Sequence, residues 1–374
     1  MEDWVWSLLD LNEGILTELE TVDQYKYLGI KQKITVKRTM NARMEDMKMK
    51  AKSYVNAIMR TTKTVPDKSE VLVKMWENVA IPAILYGVEA LPTPLDLASE
   101  LETIQLILGK WILGVPRSTA NSFVYLELGF KPMITRILMT KLSFYLRIKS
   151  ANGCKLSKKC LELQEADDSF VYMRNFKEYL SHYDLDVTGI DQTTPKLVLG
   201  KAHQKILNDV SEKSSLRLLP LSLKPWKCQK YIEESRWSKT LSQFRSMNAG
   251  LGNRDTYYKN FAVYVGEGRI LHCPLCLDGD NDEIHLLTSC RVMRKHRYAI
   301  KAELNRSIEE ILVRLKCTYR IDDSCHLLRL FLGQERRLNR YQLIARGASL
   351  TKLVNSFFEE WSVKAGRQLP RRYK

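Results

Sequence analysis

Several signatures that would place a chain quickly are missing from this one, and each absence removes a class of function. No apolar run is long enough to cross a bilayer: the most hydrophobic stretch, Val79 to Leu91, is short and carries Pro82 and Glu89. The opening residues Met1-Glu2-Asp3-Trp4 are acidic where a secretory leader is basic, so secretion is not expected. No glycine-rich phosphate loop is present. Template-directed polymerases hold two metal ions on paired aspartates, and no aromatic-x-Asp-Asp run occurs. Asp167-Asp168 lies in a polar stretch before Ser169, and Asp322-Asp323 follows Ile321 beside Ser324 and Cys325; neither is framed by apolar strands. Pro66-Asp67 reads as a helix start, and without a second Pro-Asp and a downstream lysine it gives no nuclease signature. A disulfide frame is also missing. The eight cysteines (Cys154, Cys160, Cys228, Cys273, Cys276, Cys290, Cys317 and Cys325) are scattered, which reads as free thiols plus a metal site.

Acid is in deficit too. Lys and Arg number 59 against 43 Asp and Glu, a net charge of +16 on 374 residues. Such an excess serves solubility, and it also favours a polyanionic partner, nucleic acid or an anionic membrane surface. The hydrophobic fraction, 45%, is that of a folded protein, and the length allows two or three domains.

The pattern along the chain is mainly α. Residues 1–36 are the exception. Tyr25-Lys26-Tyr27-Leu28-Gly29-Ile30 and the run Lys31 to Val36 place aromatic and β-branched residues around a lysine-rich stretch, which suggests a short hairpin. Over residues 37–150 the spacing predicts a helical bundle. Met40, Met44, Met47, Ala51, Tyr54 and Ile58 share one face of a first helix. Asp67 and Glu70 resemble a capping box for a second, with Leu72, Val73, Trp76 and Val79 buried and an end near Pro82. A third starts at Thr93-Pro94 and buries Leu97, Leu101, Ile104, Leu108 and Trp111. A fourth, from about Pro132 to Lys149, buries Ile134, Ile137, Leu138, Leu142 and Tyr145. A polar stretch after Asn152 suggests a soft boundary, so residues 151–225 read as a helical linker region, with Leu197 to Leu223 helical. Residues 226–300 form a basic, cysteine-bearing region, with Trp237, Leu241 and Phe244 at helical spacing. Residues 301–374 read as C-terminal helices and a basic tail; Arg291 to Cys317 and Arg337 to Trp361 look amphipathic.

The sharpest chemical signal is Cys273-x2-Cys276-x8-His285-x4-Cys290. Three sulfurs and one imidazole make a closed tetrahedral set, which suits a structural zinc ion and leaves no open position for catalysis. Between its halves runs Asp278-Gly279-Asp280-Asn281-Asp282-Glu283, a loop with nothing to build a core from; a metal would hold it. Arg269 precedes the set, and Arg291, Arg294, Lys295 and Arg297 follow it, a basic flank suited to phosphates. A solvated helix face is the plainer account of those charges. His296 and His326 read as surface or packing residues.

The second signal is the first helix, where Lys37, Arg38, Arg43, Lys48, Lys50, Lys52 and Arg60 lie opposite the methionine-rich stripe. One face would pack on the bundle while the other tracks a phosphate backbone. A membrane-surface helix is the competing reading, disfavoured because the bundle needs the apolar stripe. Trp76, Tyr86 and Trp111 read as core.

Several blocks together resemble non-LTR retrotransposon reverse transcriptases. Tyr25 to Ile30 is similar to the Tyr-x-Tyr-Leu-Gly strand that follows the polymerase palm, the primer grip. Trp76, Pro82, Leu85-Tyr86-Gly87, Glu89, Leu101-Glu102-x2-Gln105, Leu113-Gly114-Val115-Pro116 and Glu127-Leu128-Gly129 are similar to the thumb and the blocks after it. The Cys273, Cys276, His285, Cys290 set is similar to the family's terminal zinc motif. The resemblance implies a palm-end hairpin over 1–36, a thumb bundle over 37–150 and a small zinc-stabilised module with flanking helices. It implies a parent enzyme that performs target-primed reverse transcription with Mg2+, and a chain that starts after the catalytic aspartates. The roles expected here are therefore binding roles. Lys26 in the primer-grip strand, the basic face from Lys37 to Lys52 and the flank from Arg269 to Arg297 would contact RNA and DNA, within a retroelement ribonucleoprotein in nucleus or cytoplasm and without a membrane. Mg2+ would enter only with a catalytic palm. A zinc-stabilised protein-interaction scaffold, adopted by a host, is the alternative.

Overall fold

The computed structural model describes residues 7–9, 16–18, 24–27, 30–33, 36–61, 69–150, 155–167, 169–212, 226–229, 238–246 and 283–297, single positions at 273, 275, 276 and 278, and helical positions between 349 and 360. Within them the protein is mainly helical. Two short antiparallel pairs precede the helices: β1 (Ser7–Leu9) with β2 (Leu16–Glu18), and β3 (Gln24–Tyr27) with β4 (Ile30–Lys33), in register Tyr25 to Gln32 and Tyr27 to Ile30. Thr39 ties β4 to the first helix, its hydroxyl accepting from the Lys33 amide at 2.8 Å and donating to the Lys33 carbonyl.

That helix, α1 (Val36–Thr61), buries Met47, Ala51, Val55 and Ile58 against the bundle, while Met40, Met44 and Tyr54 are half-buried. α2 (Ser69–Met75) passes without a break into a π-helical turn, Trp76–Ala80, and then α3 (Ile81–Ile84). The helix ends at Ile84, close to Pro82 as expected, but one expectation is corrected here: Val79 is 55% exposed while Ala80 is buried in its place. The cause is the π turn. Ile81 donates to the Trp76 carbonyl five residues back, which widens the turn just before the proline ring and rotates the buried stripe by one residue. Asp67, expected to cap this helix, lies outside the described residues.

α4 (Leu95–Leu113) is the axis of the fold: α1, α2, the helices α5 (Asn121–Leu128), α6 (Met133–Lys149) and α8 (Val171–Ser181), and α10 (Ser238–Arg245) all pack on it. Its Leu97, Leu101, Leu108, Ile112 and Leu113 are buried. Thr93 does not cap it as expected; the hydroxyl donates to the Leu91 carbonyl, and the helix begins one residue after Pro94 with no side-chain cap. Gly109 admits α5, because a Cβ there would sit 2.4 Å from a Val124 methyl. α6 buries Ile137, Leu138, Leu142 and Tyr145, with Ile134 half-buried.

The core does not stop at residue 150. α7 (Lys155–Ala166) inserts Leu161 beside α6 and α8, and α8 buries Met173, Phe176, Tyr179 and Leu180. Tyr172 and Tyr179 reach back to donate to the carbonyls of Glu89 and Pro94, at 3.0 and 3.3 Å. α9 (Thr194–Glu212) then lies across α5 and α6 with Val198, Ala202, Ile206 and Val210 inward. Its polarity kept to one face, this stretch completes the bundle rather than merely linking it onward.

Polar groups knit the centre. The Trp76 indole donates to Gln105 Oε1 at 3.0 Å; the Gln105 amide donates to Glu102 at 2.9 Å and to the Lys131 carbonyl at 3.1 Å. Glu102 also accepts from the Met133 amide at the start of α6. Burial holds the Glu102 carboxyl above its ordinary range, against the pull of these donors and Arg136. A second buried contact ties α10 to α5: Nε and Nη2 of Arg245 lie 2.9 and 2.8 Å from Glu127 Oε1, both side chains having zero exposure. Gln229 donates to the Glu127 and Leu126 carbonyls beside it, and a Cβ at Gly129 (φ +71°) would collide with the Lys227–Cys228 backbone at 2.5 Å.

Candidate metal centre and basic surfaces

The four spaced residues converge. Cys273 and Cys276 lie on turns before α11 (Glu283–Thr288), His285 on that helix and Cys290 just after it; one ligand atom from each comes within 4.8 Å of the others. All three thiols are buried and His285 half-buried. The helix is only six residues long, yet it sets the spacing. Both the Ser289 and Cys290 amides donate to the His285 carbonyl at 2.9 Å, and this turn brings Cys290 back under the imidazole. Leu275, Leu286, Leu287 and Met293 supply the apolar filling.

The donor spacing is compatible with the metal that the residue types suggest. Tetrahedral zinc with Zn–S near 2.3 Å and Zn–N near 2.0–2.1 Å separates two sulfurs by about 3.8 Å and a sulfur and nitrogen by about 3.5 Å. Cys273 and Cys290 sulfurs are 3.8 Å apart, and Cys276 Sγ is 3.2 Å from His285 Nε2. The set can hold a metal ion, and its donors are compatible with zinc. The other ring nitrogen is already engaged: His285 Nδ1 is 3.0 Å from Ser289 Oγ, which leaves Nε2 as the inward atom. Burial, with the Cys290 sulfur beside it, pushes the Cys273 thiol up to about 12. The Cys276 thiol donates to the Asp278 carbonyl at 2.8 Å. A metal ion would displace such protons on binding.

The basic residues named from the sequence divide three ways. On α1, Arg38, Lys52 and Arg60 are exposed. Lys48 is tied to Glu45 at 3.1 Å and Glu100 at 2.8 Å, and Lys50 to Asp46 at 2.9 Å. Arg43, expected on the open face, is turned inward at 5% exposure, bonded to Asp46 at 2.8 Å and to the Tyr86 carbonyl. Its position on the helix borders the bundle, where the half-buried Asp46 carboxylate and the Tyr86 carbonyl take its guanidinium out of solvent. In the metal-bearing region Arg294 is exposed, whereas Lys295 pairs with Glu360 at 3.0 Å, a carboxylate that also meets His296 at 2.9 Å. Arg291 donates to the Cys276 carbonyl at 3.0 Å, and Arg297 to the carbonyls of Leu286 (3.2 Å) and Cys290. Those two guanidiniums therefore brace the knot itself. The helix expected from Arg291 is, over its described part, a single 3-10 turn, Val292–Arg294, followed by turns. Lys26 lies on β3 opposite Lys31 and Lys37 in the first turn of α1; Arg269 lies outside the described residues.

Gln105 and Glu127 stand out in the sequence only within blocks similar to the thumb, without the packing role they hold here. Gln105 and Glu127 each sit inside an apolar run, among Leu101, Leu106 and Leu108 and among Phe123, Val124 and Leu128. A polar residue on a buried face was the signal available. Among the described residues no helix is long and apolar enough to cross a membrane. No protein-family model, curated protein or solved structure matches the chain.

Proposed function

We propose that this chain is a nucleic-acid-binding, carboxy-terminal portion of a non-LTR retrotransposon reverse transcriptase. It grips template–primer and target nucleic acid and carries no polymerase active site of its own. The observation that carries the reading is the exposed arginine and lysine row on α1, Arg38, Lys52 and Arg60, mounted on a helix whose opposite face is locked into the bundle. A rigid row of cations fits a regularly spaced phosphate backbone. The β3–β4 pair is read as the palm-end primer grip, the bundle as the thumb, and the Cys3His knot as a structural zinc module whose Arg294 faces solvent. The absence of an aromatic-x-Asp-Asp run from the sequence agrees with binding rather than polymerisation.

The test is an anisotropy titration with an RNA–DNA duplex at several salt concentrations. Log affinity is expected to fall with log salt by about 0.9 per phosphate contact on a B-form duplex, and a similar steep slope is expected here. Replacing Arg38, Lys52 and Arg60 with glutamate should flatten the slope by about three such contacts. Salt-independent binding, or none, removes the proposal. A second reading, a zinc-stabilised protein-interaction scaffold, is favoured by the pairing of Arg43, Lys48, Lys50 and Lys295 with acids of the same chain. It predicts the same metal content and no polynucleotide binding.

A further inference from the structure

A cleft of about 290 Å3 opens where α5, the entry to α6, the end of α8 and α9 meet, and neither the metal knot nor the α1 row uses it. Its size is at the lower end of small-ligand pockets, roughly 300–1,000 Å3. The walls separate by chemistry. Pro132, Ile134 and Ile206 make an apolar side. Lys205, also in the lining, donates from Nζ to His182 Nε2 at 3.3 Å, so the imidazole holds the ammonium in place. The N-terminus of α5 also reaches this cleft through Asn121 and Ser122. Its cap residue, Ala120, offers no side-chain acceptor to the first amides, which leaves the positive end of the helix dipole there. Ser122 is 2% exposed, and its hydroxyl finds no partner among the described residues. Asp209 follows Lys205 by one turn of α9 and supplies the carboxylate of the cleft.

We infer that this cleft binds a nucleoside phosphate: the phosphate between Lys205, which His182 positions, and the α5 amides, the base against Pro132, Ile134 and Ile206. A helix N-terminus next to a lysine is a ready anion site. At about 290 Å3 the cleft is small, and Pro132, Ile134 and Ile206 give an aromatic base an apolar surface to lie against. Asp209 accepts from a ribose hydroxyl or an exocyclic amine, groups that inorganic phosphate lacks. The ligand comes either free in solution or as the phosphorylated end of a strand. The inference goes beyond the proposal above and stands apart from the α1 row.

Calorimetric titration of the full chain with AMP and with adenosine tests it. AMP should bind about tenfold or more tightly than adenosine, and Lys205→Glu, at an exposed position, should erase that difference. A parallel titration compares a short single-stranded RNA carrying a 5′-phosphate with the same strand ending in a hydroxyl. A preference for the phosphorylated strand that Lys205→Glu abolishes assigns the cleft to strand ends; a Lys205-dependent response to AMP alone assigns it to free nucleotide. Either outcome supports the site. If AMP and adenosine behave alike, and neither AMP nor the 5′-phosphate responds to Lys205→Glu, the site is overturned. Replacing Arg38, Lys52 and Arg60 should leave AMP binding unchanged, so failure of the polynucleotide proposal and failure of this one are read separately.

Discussion

The bundle and the cysteine knot hold their chains by different means. Around α4, order comes from burial: Leu101, Leu108 and Ile112 are almost wholly removed from water, and helix after helix covers what the last left exposed. Each such side chain contributes about 1.5–3 kcal/mol. Among the described residues between 273 and 297 the buried apolar side chains are few, Leu275, Leu286, Leu287 and Met293, and the acidic loop between the two halves of the ligand set offers none by sequence. There the convergence of three sulfurs and an imidazole replaces a core. The contrast teaches where each region is vulnerable. The bundle distributes its stability over many contacts, whereas the knot, with a metal bound, would concentrate it in one ion.

The largest expected effect follows from that concentration. Binding of structural zinc is worth about 10–16 kcal/mol in small zinc modules, nearly all of it folding free energy. Purified protein should contain one tightly held zinc, lost in a Cys273→Ser, Cys276→Ser variant. Hydrogen exchange should then rise through 283–297 while amides of α4 and α6 stay protected. Metal-free protein, or exchange that rises equally in α4, would break the comparison, since it would mean that both regions rest on one kind of support.

Next comes the buried pair that seats α10 on α5. Removing one partner of an ion pair with zero exposure leaves the other charged and uncompensated, which costs about 3–5 kcal/mol. Glu127→Ala should lower the denaturation midpoint accordingly, and a combined Glu127→Leu, Arg245→Met change should recover much of the loss. A loss below about 1 kcal/mol would place the pair with ordinary surface bridges.

How much of this was legible beforehand differs between the two regions. The helices of the bundle announced themselves, because Leu97, Leu101 and Leu108, or Ile137, Leu138 and Leu142, repeat at the helical period whatever they pack against. The metal set was legible for a related reason: ligand spacing is local. What could not be read is which polar residue turns inward. Arg43 sits among lysines on a basic helix, and only the approach of the Tyr86 carbonyl decides its direction. Likewise the phase shift at Val79 comes from a π turn, which no period announces. The polar stretch after Asn152 looked like a boundary because two of its burying residues, Tyr172 and Tyr179, carry polar tips that bond carbonyls far back in the chain.

A titration sharpens the contrast further. Lys141 on α6 has no exposed surface; its ammonium donates to the Leu91 carbonyl at 2.6 Å and lies 4.6 Å from the centre of the Tyr172 ring. Burial pushes its pKa from 10.5 down to about 7, partly countered by Glu89. Between those values the unfolded chain binds the proton and the folded chain does not, so stability rises with pH across the window. The gain should be about 2 kcal/mol from pH 7 to pH 9. Denaturant unfolding over that range should show it, and Lys141→Met should flatten the slope. Since the lysine belongs to the bundle, zinc content should be indifferent to the change; loss of zinc in that variant would show the two regions to be coupled.

The smallest effect probes the knot from one step outside its ligands. Ser289 Oγ holds His285 Nδ1 at 3.0 Å, and α11 is too short to orient the ring by itself. Groups that orient a ligating imidazole are worth about ten- to a hundredfold in metal affinity. Ser289→Ala should therefore weaken zinc about tenfold, roughly 1.4 kcal/mol, without releasing it at neutral pH. Competition with a chelator of known affinity measures the change. The bundle offers no counterpart to this sensitivity: an exposed serine such as Ser143 on α6, whose hydroxyl donates only to the Met139 carbonyl of its own helix, should be replaceable within about 0.5 kcal/mol. If Ser289→Ala binds zinc as tightly as the parent, the imidazole is oriented by its neighbours' packing instead, and the knot owes more to Leu286 and Met293 than its donor set alone requires.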